Sequence, residues 1–229
     1  MIGIIGAMDI EVEDLKERMR EAAEERIGGI LFISGLLGKK KCVTAVCGPG
    51  KVNAAVCAQI MISRYNPDLL INTGVAGGIG TGIKIGDFAI ATDVVQHDID
   101  TTGLGDPKGL IPGIHVVKIP CNERVIDKIF ALEDKFPGIR FHKGIIATGD
   151  QFINQSEKFE SIKEEFDAIA CEMEAGSIGQ VCFMNRVEFI AIRSISDHAD
   201  DNSHVDYPIF VKKTAQVSIQ LVMKLIQTL

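Results

Sequence analysis

Apolar runs of strand length alternate with segments of helical periodicity along most of the chain. The run from Ile2 to Ala7 predicts a buried strand, and Glu11 to Glu25 carries apolar residues at the three- and four-residue spacing of a helix. The same patterns predict further strands over residues 31–37, 42–47, 68–73, 85–95, 114–119, 144–148, 168–171 and 187–195. They predict helices over residues 50–65, 122–135 and 206–229.

Strands that alternate with helices predict a mostly parallel sheet covered by helices on both faces. The strands 31–37 and 42–47 flank Gly38-Lys39-Lys40, which predicts a hairpin and adds antiparallel pairing. No linker, repeat or boundary divides the chain, so we expect one α/β domain over residues 1–229. In sheets of this kind, ligands bind at the carboxyl ends of the strands.

Polar and acidic residues follow four predicted strands at their carboxyl ends. An acid in this place can simply cap the next helix, because the positive end of the helix dipole favours negative charge. Three acidic strand ends and a glycine turn at the same edge of the sheet favour a ligand site instead. The four segments are 6–11 (GAMDIE), 72–78 (NTGVAGG), 171–175 (CEMEA) and 193–200 (RSISDHAD).

Two glycine-rich turns, 48–51 and 74–82, are candidates for phosphate binding. Neither matches the P-loop pattern or a complete dinucleotide-binding fingerprint. The turn after the first strand carries Asp9, Glu11 and Glu13, without an arginine that could pair with phosphate oxygens. Because crowded acids repel a phosphate dianion, the sequence favours a neutral ligand and a neutral nucleophile such as water.

Composition narrows the classes of function. The chain has 229 residues with 24 Lys+Arg, 31 Asp+Glu, a net charge of −7 and 46% hydrophobic residues, which is a globular composition. An acidic chain without a basic run argues against nucleic-acid binding, since that affinity comes largely from cations on phosphates. No apolar stretch is long enough to cross a bilayer, and the N-terminus lacks the basic region of a signal peptide. We therefore expect neither a nucleic-acid nor a membrane partner.

Cysteines and histidines offer weaker candidates. None of the six cysteines forms a C-x-x-C pair, and we interpret them as reduced, buried residues of a cytoplasmic protein. A catalytic Cys/His pair is an alternative that lacks an activating context. Residues 97–100 (HDID) and 198–200 (HAD) are weak metal candidates, because their spacing is undemanding.

Two or three carboxylates around a neutral ligand suit the cleavage of a glycosidic bond. One carboxylic acid protonates the leaving group, and another takes a proton from water. Carboxylates also stabilise the oxocarbenium-like transition state. This chemistry demands no metal.

Five motifs make the pattern specific. Residues 2–12 (IGIIGAMDIEV), 72–78, 148–154 (TGDQFIN), 172–175 (EMEA) and 193–200 occur in this order. Over essentially the whole chain they closely resemble the 5′-methylthioadenosine/S-adenosylhomocysteine nucleosidases of the purine nucleoside phosphorylase/uridine phosphorylase superfamily. The resemblance implies a three-layer α/β/α fold with a mixed, partly barrel-like central sheet flanked by helices.

The resemblance also implies an activity. It is the irreversible hydrolysis of the N-glycosidic bond of 5′-methylthioadenosine and S-adenosylhomocysteine, and often of 5′-deoxyadenosine, to adenine and the thioribose. No cofactor or metal is implied, and the usual assembly is a homodimer.

Catalytic roles follow from the resemblance by motif. Asp197 would protonate adenine N7, with Ser196 positioning its carboxyl group, and Glu11 would hold and deprotonate the water. Glu174 would bind the ribose 2′- and 3′-hydroxyls. Arg193 would hold Glu174 or the nearby network by ion pairing.

The same resemblance assigns the base and the ribose contacts. Phe152 would stack on adenine, and Ile153 would offer backbone hydrogen bonds to the edge of the base. The ribose and alkylthio region would be lined by methionines, which are soft and adaptable. The other expected contacts of the nucleoside are Met8, Ala76, Gly77, Glu172 and Met173.

A long, glycine-rich segment without regular pattern, 97–113, matches the family's loop that reaches the neighbouring subunit. Leu104 and Pro112 would wall the 5′-substituent pocket of that neighbour. Tyr207 and Phe210, near the start of the last helix, would form the rest of the wall.

Three positions depart from the family's pattern. Val75 stands where a serine is common, Pro49 where an isoleucine is frequent, and Leu104 where the wall residue is often aromatic. These changes leave the preferred 5′-substituent open, and the role of His204 is also open.

Three alternative functions remain. A phosphorylase of the same superfamily would need a cationic phosphate site, and a hydrolase of another purine nucleoside, such as aminofutalosine, would share the same acids. A nucleoside-binding module with a dead site would lack a catalytic acid, whereas Glu11, Glu174 and Asp197 are all present.

Overall fold

The structure of the chain, a computed structural model, describes residues 1–198 and 203–229, except for the side chains of 203–206. Ala199 and Asp200 of the fourth strand-end motif therefore lie outside the described residues, and with them the metal candidate 198–200. The side chain of His204 also lies outside them.

The described residues form ten strands and six α-helices, which alternate one by one over residues 141–228. The strands are β1 (Ile2–Gly6), β2 (Arg20–Ile27), β3 (Ile30–Leu37), β4 (Lys40–Val46), β5 (Leu69–Gly78), β6 (Phe88–Gln96), β7 (Ile119–Pro120), β8 (Phe141–Thr148), β9 (Ala168–Glu172) and β10 (Glu188–Asp197). The helices are α1 (Glu13–Glu17), α2 (Lys51–Tyr65), α3 (Glu123–Phe130), α4 (Ser156–Phe166), α5 (Ala175–Asn185) and α6 (Ser203–Thr228).

Five strands close into a barrel in the order β10-β6-β8-β9-β5, and β5 pairs with β10 to complete the ring. The pairs β6–β8, β8–β9 and β5–β10 are parallel, whereas β10–β6 and β9–β5 are antiparallel. The sheet continues beyond β5 through β1, β4, β3 and β2, with β1 parallel to both β5 and β4. The predicted hairpin, β3–β4, is antiparallel.

The central strand β5 belongs both to the barrel and to the part of the sheet that continues through β1, β4, β3 and β2. It pairs with β10 along one edge, while β1 and then β9 occupy the other edge. All ten of its residues are buried, and its sequence, LLINTGVAGG, changes from large apolar residues to small ones. A Cβ at Gly78 would lie 2.9 Å from Ile195 Cγ2, so the strands pack closely where the barrel closes.

Helices cover the sheet. α6 packs on β5 and β10, α5 on β6 and β8, and α4 on β9. The arrangement confirms the predicted three-layer α/β/α class with its mixed, partly barrel-like central sheet.

Several predicted elements are wrong in detail. The helix predicted over 11–25 is instead a 3-10 turn at Asp9–Glu11, the short α1 and the strand β2. β2 is an exposed edge strand that, among the described strands, pairs only with β3, so its apolar residues follow no core-facing alternation. Of the strand predicted over 114–119, only Ile119 belongs to a strand, because His115 has a φ of +54° in a turn.

Two further corrections concern glycines and buried helices. The glycine turn expected after residue 73 is the continuation of β5, because the small residues serve close strand packing. The helices α4 and α5 were not predicted. α5 is buried on most sides, so its sequence has no polar stripe to mark a helix.

Within the described ranges, no helix is both long and apolar enough to span a bilayer. All six cysteines are buried free thiols.

Candidate active site

One cavity opens where the ends of β1, β5, β9 and β10 meet. It receives side chains from each of the four segments that the sequence singled out. The described residues that line it are Ala7, Met8, Glu11, Pro49, Val75, Ala76, Gly77, Gln151, Phe152, Ile153, Cys171, Glu172, Met173, Glu174, Ser196, Asp197 and Tyr207.

Glu11 is fixed against the strands by backbone donors. Its Oε2 accepts hydrogen bonds from the N–H groups of Ala7 at 2.6 Å and Met8 at 2.9 Å, and its Oε1 accepts one from Val75 N–H at 3.1 Å. The side chain is only 3% exposed. Burial raises the pKa of Glu11, although the Arg193 charge and the backbone donors act in the opposite direction. The site thus holds a carboxylate that is oriented and more basic than an exposed one.

Two glycines make room for Glu11 and the residue after it. A Cβ at Gly74 would lie 2.6 Å from Glu11 Oε1, and a Cβ at Gly6 would lie 2.8 Å from Val12 Cγ1 and 3.0 Å from Glu11 Cβ. Contacts below 3.0 Å force something to shift, and at Gly74 the atom in the way is the carboxylate itself. Gly74, the first glycine of the motif NTGVAGG, therefore leaves the space that the Glu11 carboxylate occupies.

Because the resemblance assigns Glu11 the deprotonation of water, replacing Gly74 with Ala is expected to displace the Glu11 carboxylate and to lower the turnover of 5′-methylthioadenosine by at least tenfold. The reason is that misplacing a catalytic group by about 1 Å costs up to about 10²-fold in rate. Steady-state kinetics on the folded variant measures the effect. Gly3→Ala is the matched control, since a Cβ there would also come within 2.6 Å of a side-chain atom, Met61 Sδ, but away from the cavity. Equal losses in both variants would contradict this account of Gly74.

Glu172, in the lining of the cavity, forms a buried ion pair with Arg193, which lies outside that lining. Arg193 Nη2 donates to Glu172 Oε2 and to Asn72 Oδ1, and both side chains of the ion pair are 2% exposed. The sequence expectation linked Arg193 to Glu174 or the nearby network, and the structure pairs it with Glu172. Arg193 is not among the lining residues, so its charge acts from outside the lining.

The remaining acceptor positions of the Glu172 carboxylate bind donors at the start of α5 and the Thr148 hydroxyl. Its carboxylate accepts hydrogen bonds from Glu174 N–H at 3.0 Å and Ala175 N–H at 2.8 Å, and from the Thr148 hydroxyl. Thr148 Oγ1 in turn accepts a hydrogen bond from Gly176 N–H at 2.6 Å. Negative charge at a helix N-terminus is stabilised in this way. Glu172 therefore anchors the segment that presents Glu174.

Glu174 is the third buried carboxylate of the cavity. Its Oε1 accepts a hydrogen bond from Gly50 N–H at 2.9 Å. Burial, together with the charge of Glu172, raises the pKa of Glu174 to about 8, while Arg193 and Gly50 oppose the shift. Arg193 is the common counter-ion, because the charges of Glu172, Glu174 and Glu11 raise its pKa despite the opposing effect of burial.

Asp197 ends β10 and also lines the cavity. It is 2% exposed, and Ser196 Oγ donates a hydrogen bond to its Oδ1 at 2.7 Å. The pairing of β10 with β5 shifts register between Ile195 and Asp197. Such bulges re-aim side chains beside active sites. The Ser196 hydroxyl therefore lies where it can orient the Asp197 carboxyl group.

Phe152, Tyr207 and Met8 form an aromatic and sulfur cluster in the lining of the cavity. Phe152 is 48% exposed and meets Tyr207 edge to face at 5.4 Å between ring centroids. The Tyr207 hydroxyl donates to Met8 Sδ at 3.3 Å. Burial and the charges of Glu11, Asp197 and Glu174 raise the pKa of Tyr207 to about 12. Phe152 thus has a partly open ring on which a flat base could stack.

Not every predicted site residue lies at this cavity. Arg193, Leu104, Pro112 and Phe210 are absent from its described lining, and Leu104 is 85% exposed. Phe210 is half-buried on the first part of α6. The two loop residues are expected at a neighbouring subunit's site, so their absence from this cavity agrees with their place in the loop 97–113.

Three lining residues were missed from the sequence. Ala7 and Gln151 adjoin predicted site residues, and that adjacency was their only signal. Cys171 was interpreted as a core cysteine, and its side chain is buried beside Glu172 at the end of β9. Burial raises the pKa of its thiol, which argues against a nucleophilic role.

The metal candidate at 97–100 has another explanation. Asp98 pairs with Lys51, with Nζ and Oδ1 at 2.6 Å. Across the described parts of the chain, no three His, Cys, Asp or Glu side chains group as metal ligands do.

The chain is similar to known proteins over its full length. The sequence model of the phosphorylase superfamily matches residues 1–229. A 5′-methylthioadenosine/S-adenosylhomocysteine nucleosidase of Anoxybacillus flavithermus is 38% identical over 229 residues, covering 100% of this chain and 98% of that protein.

Solved structures of similar proteins also match the whole chain. The nucleosidase of that name from Neisseria meningitidis, in complex with methylthio-immucillin-A, has a TM-score of 0.96 and 34% identity, covering 100% of this chain and 99% of that one. A futalosine hydrolase of Helicobacter pylori has a TM-score of 0.94 and 32% identity, covering 100% and 97%.

Proposed function

The chain belongs to the phosphorylase superfamily and, within it, to the 5′-methylthioadenosine/S-adenosylhomocysteine nucleosidases, which are N-glycosyl hydrolases, and we propose that it hydrolyses both of these nucleosides. The products are adenine with methylthioribose or with S-ribosylhomocysteine. We include 5′-deoxyadenosine as a third substrate. The observation that carries the proposal is a cavity onto which Glu11, Glu174 and Asp197 converge, with no Lys or Arg among its described lining.

Asp197 acts as the general acid. A purine anion is a poor leaving group, and protonation at N7 withdraws electrons from the bond between C1′ and N9. As that bond breaks, its electron pair stays with the base, and the proton of Asp197 moves to N7. The support is the burial of Asp197 and the hydrogen bond that Ser196 gives it.

Glu11 acts on the water. It takes a proton while the water oxygen forms the new bond to C1′, and its charge stabilises the oxocarbenium-like transition state. Three backbone donors support this role because they fix the carboxylate without neutralising it. The raised pKa suits a general base better than that of an exposed glutamate.

Glu174 binds the ribose 2′- and 3′-hydroxyls, with the Met173 backbone beside it. Gly50 N–H uses one acceptor position of Oε1 and leaves the other oxygen available to hydroxyls. Glu172 also lines the cavity, but its oxygens are occupied by backbone, Thr148 and Arg193 donors. We assign it the support of Glu174 rather than a direct bond to ribose.

The base and the 5′-substituent take the opposite parts of the cavity. Phe152 stacks on adenine, and the Ile153 backbone reads its edge. Ala76 and Gly77 offer backbone of β5 beside the nucleoside. The apolar surface left for an alkylthio group comes from Met8, Tyr207, Pro49 and Val75. We assign Phe210, three residues after Tyr207, to the same wall.

A homodimer completes the site. The exposed large apolar side chains include Val52 and Val56 on α2, and Phe183 and Met184 on α5. These two helices pack together, and clusters of exposed apolar residues mark interaction surfaces. In the dimer, the 97–113 loop brings Leu104 and Pro112 to the neighbouring cavity. Sedimentation velocity should report a dimer, and a monomer with full activity would refute this part.

Two smaller points complete the proposal. We place residues 1–229 in a single domain, which the full-length match to one superfamily supports. We place the protein in the cytoplasm, and its six free thiols suit a reducing compartment.

A futalosine hydrolase has a similar structure, and the alternative function for this chain is therefore the hydrolysis of aminofutalosine. A substrate panel separates the two functions. Adenine release should be fastest from 5′-methylthioadenosine or S-adenosylhomocysteine. Faster release from aminofutalosine than from either of them would replace the proposed function with that alternative.

A further inference from the structure

A closed ring of polar contacts joins three loops just outside the cavity. Lys51 Nζ donates to Asp98 Oδ1 at 2.6 Å, and Asp98 Oδ2 accepts a hydrogen bond from Asp150 N–H at 2.9 Å. Asp150 Oδ1 accepts one from Lys51 N–H at 2.7 Å, which closes the ring. None of the three residues lines the cavity.

Each member comes from a different loop. Lys51 begins α2 after the turn 48–50, Asp98 follows β6, and Asp150 follows β8. The first N–H groups of a helix lack intrahelical acceptors, and here a residue 99 positions away in the sequence supplies one. The ring therefore links segments that local structure alone would leave independent.

The ion pair within the ring is shielded from solvent. The side chains of Lys51 and Asp98 are 19% and 15% exposed. Burial works to raise the pKa of Asp98, yet its bonds to Lys51 and to Asp150 N–H outweigh burial and lower that pKa. Breaking a shielded pair by removing one partner is more disruptive than breaking an exposed pair.

The segments that the ring joins carry residues of the cavity. Gly50, directly before Lys51, donates its N–H to Glu174 Oε1, and Pro49 lines the cavity. On the other side, Asp150 is followed by Gln151, Phe152 and Ile153, which also line it. A shift of the ring would therefore move the partner of Glu174 and the base-facing segment together.

We propose that Asp98 is a positioning residue for nucleoside binding, acting through Lys51 on the Gly50–Glu174 contact and through Asp150 on the segment 151–153. The inference rests on the proposed nucleosidase function. Asp98 touches neither the acid Asp197 nor the base Glu11 in any described contact. Its loss therefore affects the binding of the nucleoside more than the chemical step.

Asp98→Asn and Lys51→Met each break the ion pair from one side. We expect either variant to raise the KM for 5′-methylthioadenosine about tenfold while kcat changes less than threefold, and to weaken adenine binding measured by calorimetry. Because both remove the same interaction, the double variant should be no worse than the poorer single variant. Glu25→Gln is the matched control, since it breaks the Arg64–Glu25 pair on the surface and should leave KM unchanged.

Three kinetic results would differ from the expected one. A KM within twofold of the wild type in both variants, a loss confined to kcat, or independent effects that add in the double variant would each overturn the inference. If Asp98→Asn does not fold, Lys51→Met alone decides by the same KM criterion. If the wild type releases no adenine from any nucleoside, the proposed function fails, and adenine affinity in the variants still tests the ring.

Discussion

Replacing Asp197 with Asn is expected to lower kcat for adenine release by about 10²–10⁴-fold, the usual contribution of one general acid. The amide has almost the same shape, and its oxygen can still accept the Ser196 hydroxyl that now lies 2.7 Å from Oδ1. It has no acidic proton for N7, so the leaving group would depart as a poor anion. Steady-state kinetics with 5′-methylthioadenosine measures the effect.

Binding separates this loss from misfolding. The variant should keep its melting temperature and bind 5′-methylthioadenosine about as tightly as the wild type binds it. Activity close to wild type would remove Asp197 from the mechanism. Lost binding or a collapsed fold would mean that Asp197 holds the structure rather than transfers a proton.

Replacing Glu11 with Gln is expected to abolish measurable hydrolysis while nucleoside still binds. A carboxamide cannot take the proton of water, and it carries no charge to stabilise the oxocarbenium-like transition state. The three acceptor contacts of Glu11 add a second consequence. The Gln amide nitrogen must face at least one of the N–H groups of Ala7, Met8 or Val75, which then loses its acceptor.

An unsatisfied buried donor costs about 1–3 kcal/mol, so Glu11→Gln should also melt at a lower temperature. Calorimetric titration with 5′-methylthioadenosine measures the retained binding, and a long incubation measures residual adenine release. Glu13→Gln is the matched control, because Glu13 is exposed on the adjoining helix and should behave as wild type. Substantial turnover in Glu11→Gln would show that another group activates the water.

The meeting of the strand ends could be predicted from the sequence. Carboxyl ends of parallel strands share one edge of a sheet, so Glu11 after β1 and Asp197 at the end of β10 were expected near each other. Their separation of 186 positions in the chain does not matter once both strands flank β5. The individual roles came from the resemblance of five motifs, since an acidic strand end alone can equally cap a helix.

Other features could not be predicted because they depend on three-dimensional packing. The partner of Arg193 is Glu172, yet Glu11 and Glu174 also act on its charge, and sequence distance does not choose among them. β2 was missed because an exposed edge strand has no core-facing alternation. Gly74 was expected to form a turn, whereas its absent side chain is needed inside a strand to admit the Glu11 carboxylate.

The carboxylates of the cavity favour water over phosphate as the nucleophile, so the proposed reaction is a hydrolysis. Adenine release from 5′-methylthioadenosine in phosphate-free buffer is the decisive measurement. The predicted result is equimolar adenine and methylthioribose, at a rate that added phosphate leaves unchanged. Release that requires phosphate and yields a ribose 1-phosphate would contradict it.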